Sequence, residues 1–453
     1  MTDGLVQDHE STGKGMTEAN LVSRTTHSRE RELLILFILA AVQFITIVDF
    51  MIVMPLGPQL METLSISPDE FGLIVSSYTF AAGLSGLLAS SIVDRFARRT
   101  TFMILYGGFL LGTFWCAIAP TYHTLLIARI ATGLFGGILG GQAMTIIGDV
   151  FPEERRGRAT GALMSGFALA SVAGVPIGLV FGTTFGWHVP FMVLAIGGLP
   201  LLFLTPFAMP PLKDHLHQAH AHPLKSLFET FSQRNHLNAF ALTVSLMIGS
   251  FTVFPYVAAY FVSNVGMTVN QLPIMYIFGG ALTLIASPIV GWFTDKFGKL
   301  MIYRIIAPVS ALLLLAITHL PRIHVGVAVF VFGSLMVSNV GRMIAAMAMI
   351  TGSVEPKRRG GFLSANSSVQ HIACGIGAYL GGIIITQVKD GPIEHFGTVG
   401  WIAAISTLFT LWLAGRVRSG EQSPIKAQTI SLAAAADASV DASEAIVVAV
   451  EER

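Results

Sequence analysis

Three ionisable side chains stand where such groups are expensive. Asp49, Arg129 and Arg342 each fall inside a long apolar run. A charge held there is kept for pairing, for contact with a solute or for moving a proton. Counting 1.5 Å per residue, Asp49 lies about 24 Å into the first run, so ~6 Å short of the far edge of a ~30 Å hydrocarbon layer. Arg129 enters from the opposite side and lies ~8 Å below the same edge. At similar depth, a carboxylate and a guanidinium stabilise each other's charge. The chemistry open to this pair is ion pairing and reversible protonation of Asp49. Arg342 lies nearer the other face. It either extends its long side chain to that face or meets an anionic group inside.

The surroundings of these residues decide the class of the protein. Of 453 residues, 53% are hydrophobic and 12% charged, with a mean hydropathy of +0.69. Soluble domains carry about 25% charged residues. A chain this long cannot hide so much apolar surface in water and must present it to lipid. The apolar runs are 33–56, 71–93, 101–119, 124–147, 159–182, 188–209, 237–263, 272–294, 301–319, 323–349, 361–388 and 396–415. Each is near the ~20 residues that cross the bilayer as a helix, the form that satisfies the backbone without water. We number these runs spans 1 to 12. The 46 glycines suit close helix contacts. Cys116 and Cys374 both lie in apolar stretches, so neither a disulfide framework nor a thiolate metal site is expected. The first 32 residues are polar, and no cleavable signal peptide is visible.

Charge placement orients the spans. Of the 27 Lys and Arg residues, all but Arg129, Arg342, Arg322 and Lys389 fall on one side: the tails and the 2–3, 4–5, 6–7, 8–9 and 10–11 connections. The positive-inside rule then puts both termini in the cytoplasm, as an even span count requires. The expected organisation is a cytoplasmic tail 1–32, a six-helix bundle 33–209, a His-rich cytoplasmic linker 210–236, a second bundle 237–418 and a disordered tail 419–453.

The two bundles look like repeats. Span 2 ends Ser90-Ser91-Ile92-Val93-Asp94-Arg95-Phe96-Ala97-Arg98-Arg99, and span 8 ends Gly291-Trp292-Phe293-Thr294-Asp295-Lys296-Phe297-Gly298-Lys299. Phe151-Pro152-Glu153-Glu154-Arg155-Arg156-Gly157 follows span 4, and Glu355-Pro356-Lys357-Arg358-Arg359-Gly360 follows span 10. Equivalent sequence at equivalent positions marks an internal repeat. The pattern G-x-x-x-D-[RK]-x-G-[RK] in these loops resembles the signature of the major facilitator superfamily. The second copy matches throughout; the first has Ser90 and Ala97 in place of glycines. The resemblance covers about 31–418. It implies an all-α membrane protein of 12 transmembrane helices in two pseudo-symmetric six-helix bundles, moving a small solute by alternating access.

The same resemblance assigns roles. Asp94 would face the start of span 11 near Gly361, and Asp295 the start of span 5 near Gly157, bridging the bundles on the cytoplasmic face. Arg95, Arg98, Arg99, Lys296, Gly298 and Lys299 complete these loops, and Asp149 joins Arg156 and Arg158 in the inner gate network. Arg129 to Gly133 resembles the family's span-4 motif R-x-x-x-G, associated with proton coupling. Asp49 is then the proton-carrying carboxylate and Arg129 the group that sets its proton affinity; a static ion pair is the alternative. Gly174, Pro176 and Gly178 resemble the bending motif of span 5 in efflux antiporters of the arabinose and drug type. Gly133, Gly137 and Gly141 recur on one face of span 4, where another backbone can approach. Gln43, Gln142, Tyr256, Tyr260, Ser338, Asn339, Arg342, Asn366, Gln370 and His371 are the candidates for the cavity lining, which suits a neutral or amphiphilic solute. His371 can equally be a helix-contact histidine.

These readings predict a secondary transporter, most simply a monomeric proton-linked exporter in a bacterial inner membrane. Its partners are protons, a small solute and the bilayer, with no nucleic acid and no cofactor. An uncoupled facilitator, a symporter or a non-transporting sensor is the alternative. The chain shows no nucleophile–base pair, phosphate loop or Walker sequence, so neither an enzyme nor an ATP-driven pump is expected. His215, His217, His220 and His222 read as a solvated linker rather than a metal tract.

Overall fold

The computed structural model describes residues 29–92, 95–210, 212, 230–355, 359–387 and 391–418. Within them the chain forms twelve long helical segments. Span 1 is Arg29–Ile52, span 2 Pro68–Ile92, span 3 Arg98–Ala117 and span 4 Tyr122–Val150. Span 5 runs through Glu153–Leu169, a π-helical turn Ala170–Gly174 and Val175–Phe185, and span 6 is His188–Ala208. Span 7 starts as Arg234–Phe251 and continues through short 3₁₀, α and π pieces to Val265. Spans 8 to 12 are Leu272–Phe297, Lys299–Thr318, Val325–Gly352, Arg359–Ile384 and Phe396–Ala414. Eleven are long and apolar enough to cross a membrane. Span 11 has the length, but Ser364, Asn366, Ser367, Ser368, Gln370 and His371 crowd its first half. Two small elements were not foreseen: a helix Gly57–Leu64 after span 1 and a hairpin pairing Thr386 with Glu394 and Gln387 with Ile393.

Local sequence sets the ends. Before span 2, Glu70 Oε2 accepts from both the Ser67 backbone N–H at 2.9 Å and the Ser67 hydroxyl at 3.1 Å. Thr121 with Thr124 forms a reciprocal pair at the start of span 4, and Thr268 with Gln271 one before span 8. Each pair satisfies amides that the first helical turn leaves open. Span 8 stops at Gly298, whose φ of 92° a side chain would resist. The matching residue of the other repeat, Ala97, has an ordinary φ of −60° and ψ of 131°. The two turns follow different backbone paths, so the missing glycine costs the first copy nothing.

Call the end carrying residues 29 and 418 the tail end, and the other the far end. At the far end one buried apolar cluster joins both bundles: Ile52, Leu56, Phe71 and Leu179 of the first with Val253, Tyr256, Phe261 and Phe332 of the second. At the tail end the buried clusters stay separate. Ile38, Phe109 and Ile146 belong to one, Leu246, Tyr303 and Ile350 to another. Among the described residues one buried apolar cluster therefore spans both bundles at the far end, while at the tail end each bundle keeps its own. Two helix pairs make the sides of the seam. A Cβ on Gly83 of span 2 would lie 3.0 Å from the Ser368 carbonyl of span 11, and one on Gly280 of span 8 would lie 2.9 Å from Val172 Cα of span 5.

Candidate functional site

Four spans of the first bundle converge on one buried ion pair. Asp49 and Arg129 are 0% and 1% exposed. Arg129 Nη1 donates to Asp49 Oδ2 at 2.8 Å, and Thr113 Oγ1 of span 3 donates to Oδ1 at 3.1 Å. The Tyr78 ring of span 2 lies under the guanidinium, 4.4 Å from centroid to Cζ. Gly133, one turn after Arg129, makes that placement possible: a Cβ there would sit 2.3 Å from the Tyr78 carbonyl oxygen. The glycine of the R-x-x-x-G pattern thus admits the span-2 backbone, which carries the aromatic ring beneath the arginine. Gly112 serves span 3 likewise, with Thr132 Oγ1 at 2.6 Å from the place of a Cβ. Each carboxylate oxygen has a donor, while Arg129 Nε has no partner. The site can hold a charged pair, and protonating Asp49 would release Arg129.

The second bundle holds a different kind of charge. Arg342 is 0% exposed. Its guanidinium donates to Thr407 Oγ1 of span 12 at 2.5 Å, and to Ser250 Oγ of span 7 and Asn339 Oδ1 of its own helix, both at 2.9 Å. The alternative of a side chain extending to the membrane face is wrong, because these three oxygens pin it inside. No carboxylate pairs with it among the described residues.

At the tail end the charges form links within bundles. Arg98 Nε meets Asp149 Oδ2 at 3.2 Å. Arg99 donates to the last carbonyls of span 6, at Pro206 and Met209, where the helix ends negatively. Lys299 does the same for span 10 at Ala348. The expected network of Asp149 with Arg156 and Arg158 is corrected: Arg98 is the partner, Arg156 donates to the Gly148 carbonyl and Arg158 is exposed. Asp295, Lys296 and Arg95 are exposed too, and Lys296 sits over the Trp292 ring at 4.5 Å. Asp295 makes no contact with the start of span 5, and the space around Gly157 is open. That bridge is not made among the described residues. Asp94, its counterpart, and the histidines from 215 to 222 lie outside the described residues.

The span-5 motif acts by closeness as well as bending. The π turn precedes Pro176, whose missing N–H falls where a fresh α segment starts. A Cβ on Gly174 would lie 2.2 Å from Val48 Cγ2, and one on Gly178 3.0 Å from Ile52 Cδ1. Of the span-4 glycines, Gly133 and Gly137 face span 2 closely, but Gly141 has open space.

A model of the Major Facilitator Superfamily matches residues 39–344. The chain belongs to this superfamily. It is 25% identical over 374 residues to the uncharacterised MFS-type transporter YbcL of Bacillus subtilis (strain 168), covering 82% of this chain and 93% of that one. It is equally similar, at 25% over 378 residues, to the uncharacterised MFS-type transporter YceJ of the same organism, with the same shares. Its fold resembles a bacterial homologue of the human lysosomal transporter Spinster in an inward-facing, unoccupied conformation. The TM-score is 0.66 and the identity 14%, over 86% of this chain and 95% of the other. The protein is therefore a multi-pass membrane transporter of the Major Facilitator Superfamily.

Within this superfamily member, the proposed cavity lining divides. Tyr256 is not in the lining: its hydroxyl donates to the Ala378 carbonyl at 2.5 Å inside the far-end seal. Tyr260 also belongs to that end, donating to the Leu320 carbonyl at 2.9 Å. Asn366 ties span 11 to span 7, accepting from Thr243 Oγ1 at 2.7 Å. Gln43, Asn339, Gln370 and His371 are half-buried. Gln142 and Ser338 are buried with side-chain polar atoms that find no partner. The sequence reading missed Thr113, Tyr78, Ser250 and Thr407, polar residues of ordinary type in apolar helices. It also missed Glu32, which Arg155 grips through two bonds of 2.7 and 3.2 Å; an acid at the start of a span facing a basic loop was a usable signal.

Proposed function

We propose that this transporter is a proton-coupled antiporter exporting a small organic solute by alternating access. The observation that supports it is the Asp49–Arg129 pair, a carboxylate wholly withdrawn from solvent with a releasable partner. Protonation of Asp49 frees Arg129, and deprotonation restores the pair; a cycle that permits each only in one access state ties proton flow to solute flow. The positive-inside distribution supports a topology with both termini in the cytoplasm, and we read the protein as a monomer in a bacterial inner membrane. The tail end is then cytoplasmic, and this conformation is open inward. Asp94 and Asp295 close that face when the far end opens, Asp295 approaching the start of span 5.

The geometry also favours one competing reading. Both Asp49 oxygens have donors, which suits a permanent structural pair in an uncoupled facilitator. The two separate in proteoliposomes with an imposed pH gradient, screened against sugars, nucleosides and cationic drugs. Asp49→Asn keeps an oxygen for Arg129. Coupling requires that this variant lose gradient-driven transport yet retain solute exchange; undiminished gradient dependence would refute it.

A further inference from the structure

Among the described residues the buried arginine of the second bundle has no counter-charge. Between 234 and 418 the sequence holds four acidic residues, Asp295, Glu355, Asp390 and Glu394, and none lies in the interior of a span. Asp49 is already engaged by Arg129. A guanidinium at this depth is among the costliest groups to bury, and neutral oxygens compensate it only in part. Two polar atoms beside it remain open. Arg342 Nε has no partner, and neither does Ser338 Oγ, which sits one helical turn away on the same face of span 10 and is 6% exposed.

The position fits a solute. Arg342 is ten residues from the tail-end terminus of Val325–Gly352, or about 15 Å at 1.5 Å per residue. That is near mid-membrane, where transporters of this build hold their solutes between the two repeats. Its link to span 7 is also adjustable. Ser250 is the penultimate residue of Arg234–Phe251, immediately before span 7 breaks into short irregular pieces around Pro255. A shift of span 7 at that break withdraws Ser250 and opens one guanidinium edge.

We propose that Arg342, with Ser338, Asn339, Ser250 and Thr407, is the recognition site for an anionic group of the carboxylate class on the transported solute. The guanidinium fork matches a planar oxyanion, and the hydroxyls complete its shell. The solute class narrows accordingly, from neutral or amphiphilic to organic anions and zwitterions. This rests on the transporter reading but not on proton coupling.

Binding can be read without transport. Purified full-length protein is unfolded thermally with sodium benzoate, with its neutral counterpart benzamide, and with sodium chloride, at equal ionic strength. Benzoate raises the midpoint; benzamide and chloride do not. Arg342→Gln abolishes the benzoate response, and Arg342→Lys, which keeps the charge but not the fork, weakens apparent affinity about tenfold. Asp49→Asn retains the response, so failure of the coupling test and failure of this one are distinguishable. The assignment is overturned if benzoate leaves the wild-type midpoint unmoved, if chloride or benzamide protects as well, or if Arg342→Lys binds benzoate like wild type. The last readout stands even where Arg342→Gln does not fold.

Discussion

Phe50 of the first bundle stacks on Phe251 of the second, with ring centroids 6.0 Å apart and planes inclined by 24°. Phe50 also stacks on Tyr78 at 5.4 Å, and Tyr78 lies under Arg129. Ser250, the residue before Phe251, donates to Asn339 and accepts from Arg342. An unbroken run of contacts thus joins the two buried charges across the seam between bundles. Spatial continuity is not coupling, which must be measured between the residues themselves.

A double-mutant cycle measures it. Phe50→Ala and Phe251→Ala each remove aromatic surface. If the rings act as a pair, the double variant loses less than the two single losses combined, by about 0.5–1.5 kcal/mol. Thermal unfolding of the four purified proteins gives the value. Additive losses would mean that the rings only fill space.

Gly133 and Gly141 share a four-residue spacing but not a role. Gly133→Ala forces a Cβ into the Tyr78 carbonyl, where no flexible atom can yield. It should cost about 1–3 kcal/mol by overpacking and shift Tyr78 from Arg129. Gly141→Ala meets nothing within 4 Å and should be neutral or slightly stabilising, since alanine favours a helix. Melting midpoints of the two variants check both claims; equal losses would contradict the assignment.

The two loop repeats should also differ. Gly298→Ala must adopt a φ of 92°, a strain of about 1–3 kcal/mol. Ala97→Gly introduces the residue typical of the superfamily at a position with ordinary backbone angles, so it should gain nothing and lose up to ~1 kcal/mol through greater unfolded-state freedom. Stabilisation by Ala97→Gly would show that the first turn wants the backbone of the second.

The family and its helical membrane fold were legible because they rest on long patterns. Twenty apolar residues can do little else, and a signature met twice at related positions is hard to produce by chance. Asp49 and Arg129 were legible for a similar reason: few charges enter spans, so depth alone proposes partners. Arg342 was visible as a charge, but its oxygens come from three helices. Ser250 and Thr407 carry no mark that separates them from other hydroxyls in spans. Tyr256 and Tyr260 misled because a tyrosine on a cavity-lining span serves equally as a bolt of the far-end seal. Asp149 was assigned to Arg156 and Arg158, which are nearer in sequence, whereas Arg98 of another helix is the arginine that reaches it.

The Asp49–Arg129 pair makes the sharpest stability prediction. Asp49→Leu removes both carboxylate oxygens and leaves Arg129 charged, 1% exposed and facing the Tyr78 ring, the Cys116 thiol and the main-chain carbonyl of residue 49 at 3.5 Å. Breaking a buried pair from one side costs about 3–5 kcal/mol. Removing Arg129 as well, in Asp49→Leu with Arg129→Met, takes away the orphaned charge and should recover most of that loss, because apolar residues of similar volume replace buried pairs without great cost. Arg342 supplies the contrast inside the same molecule: it folds without a carboxylate because three neutral oxygens reach it, and Arg129 has no such set. Thermal unfolding of the single and double variants decides the matter. A double variant no more stable than Asp49→Leu would show that the two helices need Arg129 for its packing rather than for its charge.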